Sequence, residues 1–156
     1  IVNTFETTKY QKISEMVTKV SFYGKAVNTL NNSDVRISKR LFMPSSKLRG
    51  FESGKIGPVE NNDYIGGNYI SALNFSAPLP KFLPSFQNID FSLFVDAANV
   101  WGVDYDSSID NSNQIRSSIG LGLDWFTPVG PLSFSLSQPL TQGPRGTLTG
   151  ERNRPS

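Results

Sequence analysis

Between Ile115 and Phe126 the chain alternates with a period of two. Ile115, Ile119, Leu121, Leu123 and Trp125 fall on one side, and Arg116, Ser118, Gly120, Gly122 and Asp124 on the other. A helix cannot produce this pattern, because one helical face recurs every three to four residues. The make-up of the two sides then restricts the environment. A soluble sandwich or barrel turns its large apolar residues inward and its charged ones to water. Here the second side is mostly Gly and Ser, which suits a water-filled lumen, while the aliphatic side suits lipid. The segment therefore predicts one strand of a transmembrane β-barrel, and an ionised Arg116 must face the lumen, since Arg at the lipid midplane costs ~2–4 kcal/mol.

Other segments repeat the pattern. Thr127 to Gly130 contains Pro128 and reads as a tight turn, after which Leu132, Phe134 and Leu136 alternate with Ser133, Ser135 and Ser137, completing an antiparallel hairpin. Upstream, Ile89, Phe91, Leu93 and Val95 alternate with Asp90, Ser92, Phe94 and Asp96, Phe94 being the one apolar residue on the polar side. Asn68 to Pro78 places Tyr69, Leu73 and Phe75 outward, with Ile70, Ala72, Asn74 and Ser76 inward. Met16 to Ala26 places Val20, Phe22 and Ala26 outward, with Lys19, Ser21, Tyr23 and Lys25 inward, and Ile1 to Ile13 is a candidate sixth strand. Each is near the ~9–11 residues a tilted strand needs to cross a bilayer. Barrel architecture puts short turns in the periplasm and long loops outside. The polar stretch Gly102 to Asn113 is thus an external loop opened by an interfacial Trp101, and Leu79 to Gln87, with Pro80 and Pro84 beside Phe82 and Phe86, a periplasmic turn.

Composition agrees and narrows the function. No apolar run approaches the ~18 residues of a membrane-spanning helix, so any span must be built from strands. Gly (13), Pro (10) and Phe (11) in 156 residues favour many short strands and turns. A formal charge of +2 spread along the chain offers no basic stripe, so nucleic acid is not an expected partner. With no Cys and no His, thiol chemistry, a hydrolase triad and a typical zinc site are not expected either, nor any catalytic residue, metal or cofactor. Asp104, Asp106 and Asp110 lack the spacing of a calcium-binding loop and read as solvated loop residues. The chain opens on Ile1 without a leader-like segment, and the expectation is one partial outer-membrane β-barrel domain over residues 1–156, all-β and antiparallel.

The outlier is the connection of about 40 residues, about 28–67, since loops of such length are usually functional or disordered. Within it stand Lys47-Leu48-Arg49-Gly50-Phe51 and then Ile56-Gly57-Pro58. An isolated Arg-Gly-Phe means little, and an isolated loop Arg is ordinarily a solvated charge. Here it is followed in order by Phe94-Val95-Asp96 through Val100-Trp101, by Trp125-Phe126-Thr127-Pro128-Val129-Gly130-Pro131, and by Gln138-Pro139-Leu140. Together these resemble the bacterial surface antigen superfamily of outer-membrane assembly barrels, over about Val17 to Leu140.

The resemblance implies a sixteen-stranded barrel preceded by periplasmic domains, whose signature loop folds back into the lumen so that its Arg meets acidic residues of nearby strands. Arg49 matches that Arg, with Gly50, Phe51, Gly57 and Pro58 completing the loop motif. Asp96 matches one acidic partner. A second acidic position falls on Asn74, whose amide can accept from a guanidinium without the Coulomb attraction of a carboxylate. Strand phase supports the pairing independently, because Asp96 shares its side with Ser92. The implied function is non-enzymatic folding and insertion of β-barrel proteins into the outer membrane of a Gram-negative bacterium. The implied partners are the lipid bilayer, unfolded outer-membrane protein clients and, through upstream domains, assembly-complex lipoproteins. A translocation or secretion barrel of the same superfamily, a passive channel and a soluble β-sandwich are the alternatives. The tail, 141–156, is polar and ends beside Pro155, unlike the aromatic-terminated closing strand of such barrels.

Overall fold

A computed structural model describes residues 1–31, 33–81, 87–109 and 114–141. Six long strands carry the fold: β1 (Val2–Ile13), β2 (Met16–Val27), β5 (Tyr69–Pro78), β6 (Ile89–Trp101), β7 (Arg116–Thr127) and β8 (Gly130–Pro139). A short hairpin, β3 (Val59–Glu60) with β4 (Asp63–Tyr64), lies in the long connection. The long strands form one antiparallel sheet in the order β1-β2-β5-β6-β7-β8, each paired with its neighbour in sequence among the long strands. The antiparallel all-β reading holds. Among the described residues the sheet is open, with β1 and β8 at its edges.

The register shows why alternation was visible in the sequence. Residues directly opposite one another point to the same face, and Val95 faces Ile119, Leu93 faces Leu121, and Leu123 faces Phe134. On this outer face Phe22, Leu73, Phe91, Leu121, Trp125 and Phe134 are all exposed. The inner face is covered. Tyr23, Ile70, Ala72, Phe94, Ala98 and Val100 are buried there together with Asp96, Arg116 and Ser118.

The cover is the long connection. Rather than remaining structureless, it contributes Val35, Leu41, Met43, Leu48 and Ile56 to the same buried cluster as Tyr23, Val27, Ile70, Ala72, Ala98 and Val100. The core of this molecule therefore lies between the loop and the concave side of its own sheet. Paired backbone hydrogen bonds between Leu41 and Gly67, at 2.8 and 3.0 Å, close the base of the connection. Gly67 has to be glycine, because a Cβ there would stand 2.4 Å from the Trp101 carbonyl oxygen.

The first strand was the least legible. Its partner register places Asn3, Phe5, Thr7, Lys9 and Gln11 on the outer side and Thr4, Glu6, Thr8 and Tyr10 on the inner side, so neither side is uniformly apolar. Hydrogen bonding to β2, not patterning, makes it a strand. The residues read as periplasmic-turn aromatics, Phe82 and Phe86, lie outside the described residues, as do Asp110 and nearly all of the polar tail.

Candidate functional site

The tip of the long connection, Lys47 to Gly50, runs across the strands and meets all six. Lys47 Nζ pairs with Glu6 of β1 at 2.5 Å and sits 4.8 Å from the Tyr23 ring centroid of β2. Its carbonyl accepts a hydrogen bond from Asn74 Nδ2 of β5 at 2.7 Å. Arg49 engages Asp96 and Phe94 of β6. Gly50 lies against the far strands: a Cβ on it would stand 3.6 Å from Ser118 Cβ of β7 and 2.8 Å from Ser137 Oγ of β8. Its φ of +89° turns the chain at that point, a conformation glycine reaches without strain.

Asp96 is the centre of the arrangement. Its side chain is 0 % exposed, which an ionised carboxylate tolerates only when its acceptor sites are filled. A carboxylate has about four lone-pair sites, and donors occupy them all. Oδ2 accepts from Arg49 N at 3.1 Å and Arg49 Nε at 2.7 Å, while Oδ1 accepts from Arg49 Nη2 at 2.7 Å and Asn74 Nδ2 at 2.9 Å. The two guanidinium bonds make the bidentate fork that gives such pairs their strength and orientation. The Arg49 side chain keeps 29 % exposure, so one end of the pair is wet.

Asn74 plays a different part from the one its sequence suggested. It was expected to accept from the guanidinium. It donates instead, through one amide nitrogen, to both Asp96 Oδ1 and the Lys47 carbonyl. The neutral residue thus satisfies the carboxylate and fixes the loop backbone, whereas a second carboxylate there would face the first at hydrogen-bonding distance.

Phe94 was the residue that sequence reasoning misjudged. It is not a flaw in the lumen face but a platform: it is fully buried, and the Arg49 guanidinium carbon lies 3.5 Å above its ring, close enough for a cation–π contact. The only signal in the sequence was an aromatic two residues before an inward Asp; that it stands directly across from Gly120 is set by the strand register. A Cβ on Gly120 would come within 2.4 Å of Phe94 Cζ and 2.2 Å of the Leu136 carbonyl oxygen, so Gly120 makes room for that ring rather than for the loop itself. Lys47 and Glu6 were also missed, because the strand carrying Glu6 showed no clear alternation.

The remaining motif residues flank this centre. Phe51 packs against the buried cluster. Gly57 and Pro58 are buried, and Gly57, at φ +116°, approaches Val100 so closely that a Cβ would stand 3.0 Å from the Val100 Cβ. Arg116 faces inward as expected, 8 % exposed, with Nη2 donating to Gln114 Oε1 at 2.9 Å. Asp104 is exposed, as a solvated loop residue should be, and it also accepts from Val35 N at 2.9 Å and Asn68 Nδ2 at 2.6 Å, tying the loop to the long connection. Among the described residues no three His, Cys, Asp or Glu side chains gather as a metal cluster.

Comparison with known proteins follows this geometry. Residues 3–150 match the Omp85 superfamily domain. The chain is 31 % identical over 112 residues to the outer membrane protein assembly factor BamA of Neorickettsia risticii, covering 70 % of this chain. It is 31 % identical over 130 residues, 65 % of the chain, to the BamA of Neisseria meningitidis serogroup B. The chain spans 15 % and 16 % of the lengths of these two relatives. Among solved structures, the crystal structure of BamA from Haemophilus ducreyi lacking POTRA domains 1-3 superposes with a TM-score of 0.74 at 24 % identity, covering 91 % of this chain and 31 % of that one. That likeness establishes a shared barrel-wall fold.

Proposed function

The chain belongs to the Omp85 superfamily, and on that footing we propose that it forms the C-terminal barrel wall of an assembly factor that folds and inserts β-barrel proteins into the outer membrane of a Gram-negative bacterium. One observation supports this reading above the others: the loop tip reaches all six long strands from the lumen side, Lys47 engaging β1, β2 and β5, Arg49 engaging β6 and Gly50 lying close against β7 and β8, anchored on a fully buried and fully bonded Asp96. A passive channel needs an open lumen, yet here the loop fills the concave face with its own apolar core.

In this reading the site makes and breaks no covalent bond. Its chemistry is hydrogen bonding. The strap fixes the curvature and spacing of the wall from inside, while unpaired strand-edge groups template incoming client strands. Lipid covers the apolar outer face, unfolded outer-membrane proteins are the clients, and assembly lipoproteins dock on domains beyond this barrel wall.

The test is insertion of a client barrel into liposomes by the full-length protein carrying this chain. Arg49→Ala and Asp96→Ala should each slow insertion by roughly tenfold, the equivalent of about 1.4 kcal/mol, while the barrel still migrates as a folded, heat-modifiable species. Wild-type insertion rates in both folded variants would refute the role of the strap. Ion conductance or substrate export without client insertion would refute the assembly reading in favour of a channel or a translocation barrel.

A further inference from the structure

We propose that Glu6 of β1 is the second acidic partner of the loop tip, and that its ion pair with Lys47 is a salt-sensitive anchor that positions the strap for client insertion, an inference that rests on the assembly reading above. The tip carries two cations, Lys47 and Arg49. Asp96 already accepts from Arg49 and Asn74 at every site, and Asn74, directly across from it, is neutral. The carboxylate for Lys47 comes instead from Glu6, whose Oε1 stands 2.5 Å from Lys47 Nζ.

The register shows how two residues so far apart in sequence meet. Glu6 lies directly across from Tyr23, and Tyr23 directly across from Ala72, so the three share the inner face in one row from β1 through β2 to β5. Lys47 is fixed by its carbonyl, which accepts from Asn74 of β5 at 2.7 Å. Neighbouring strands lie about 4.8 Å apart, so β1 stands roughly 10 Å from β5, a gap that a Lys and a Glu extended towards each other close. The buried Tyr23 ring lies along the way, its centroid 4.8 Å from Nζ, within range of a cation–π contact. The ammonium is thereby guided across β2 to Glu6.

The two anchors differ in how they respond to solvent. Asp96 is shut away from water, whereas the Glu6 side chain keeps 51 % of its exposure and that of Lys47 keeps 21 %. A buried pair is little affected by salt, but an exposed one weakens as the Debye length falls from ~30 Å at ~0.01 M to ~3 Å at ~1 M. The hold on β6 is therefore constant, and the hold on β1 varies with ionic strength. Exposed pairs contribute little each, so loss of this one should change a rate by roughly two- to fivefold.

The experiment measures client insertion into liposomes by the full-length protein at about 0.01 M and about 1 M NaCl. Glu6→Gln removes the charge and leaves Lys47 on the Tyr23 ring. At low salt it and Lys47→Met should each insert roughly two- to fivefold more slowly than wild type, and the double variant no more slowly than the slower single one. At high salt Glu6→Gln should match wild type, while Arg49→Ala lags at both concentrations. Heat-modifiable migration verifies that each variant is folded. A wild-type rate in Glu6→Gln at low salt, a deficit that salt leaves unchanged, or single effects that simply multiply in the double variant would each overturn the proposal. If wild type itself inserts no client, the assembly reading fails, and the same cycle run on urea-dependent folding in micelles decides the pair. Coupling that salt removes would keep Glu6 as the second anchor of the loop tip, and strict additivity would overturn it.

Discussion

Asn74 shows how one side chain can reverse the logic of a charged site. Its Nδ2 lies 2.9 Å from Asp96 Oδ1 and 2.7 Å from the Lys47 carbonyl, so both neighbours require a donor. Asn74→Ala removes two hydrogen bonds and leaves a buried carboxylate short of a donor, which should cost about 1–3 kcal/mol. Asn74→Asp should cost more than Asn74→Ala, although it is the smaller change in shape, because it sets an acceptor and a like charge against Asp96. Urea-dependent folding of the full-length variants in micelles ranks the two. An Asp variant as stable as wild type would mean that Asn74 is not a donor at this site.

At the scale of strands and loops, two glycines on one face of β7 have separate duties. A Cβ on Gly120 meets Phe94 and the backbone of β8, whereas one on Gly122 meets mainly the movable Ser92 hydroxyl at 2.6 Å. Gly120→Ala should therefore destabilise by about 1–3 kcal/mol, and Gly122→Ala by roughly half that or less. Because Phe94 carries Arg49, only the first should also slow client insertion, and equal effects in both assays would separate Phe94 from the strap. The β6–β7 loop has its own fastening. The Ser108 hydroxyl, and secondarily its backbone N–H, donate to Asp106 and hold that carboxyl below its ordinary value. A depressed carboxyl stabilises above its unfolded pKa and loses that contribution as pH falls through the folded value. Loop order should accordingly decline on acidification, and Ser108→Ala should move the Asp106 titration upward in an NMR pH series.

For the molecule as a whole, the open sheet dictates behaviour. Both β1 and β8 leave one side of their backbone unpaired among the described residues, and unsatisfied backbone groups are not viable in hydrocarbon. Meanwhile Phe91, Leu121, Phe134 and Leu136 form an exposed apolar face, a route to aggregation in water. These 156 residues expressed alone should therefore fail to give a heat-modifiable monomer on detergent refolding and should aggregate unless further barrel strands are supplied. A compact monomer refolding alone would show that the sheet closes by itself.

The sequence by itself determined the strands whose two faces meet different solvents: β7, β8 and most of β6 were readable because lipid and lumen select opposite residues at every second position. Through a family resemblance it also marked Arg49 and Gly50 in the loop motif and Asp96 in a later strand motif as partners, and strand phase alone turned Asp96 inward. What only the tertiary structure decided was everything that depends on contacts distant in sequence. That Lys47 reaches Glu6, that Asn74 donates rather than accepts, and that Phe94 lies between Arg49 and Gly120 follow from six strands placed side by side under a folded-back loop. Periodicity reports which face a residue occupies. It carries no information about which residue of another strand, or of a loop far away in sequence, will stand across from it, because register and loop path are set by packing of the whole sheet.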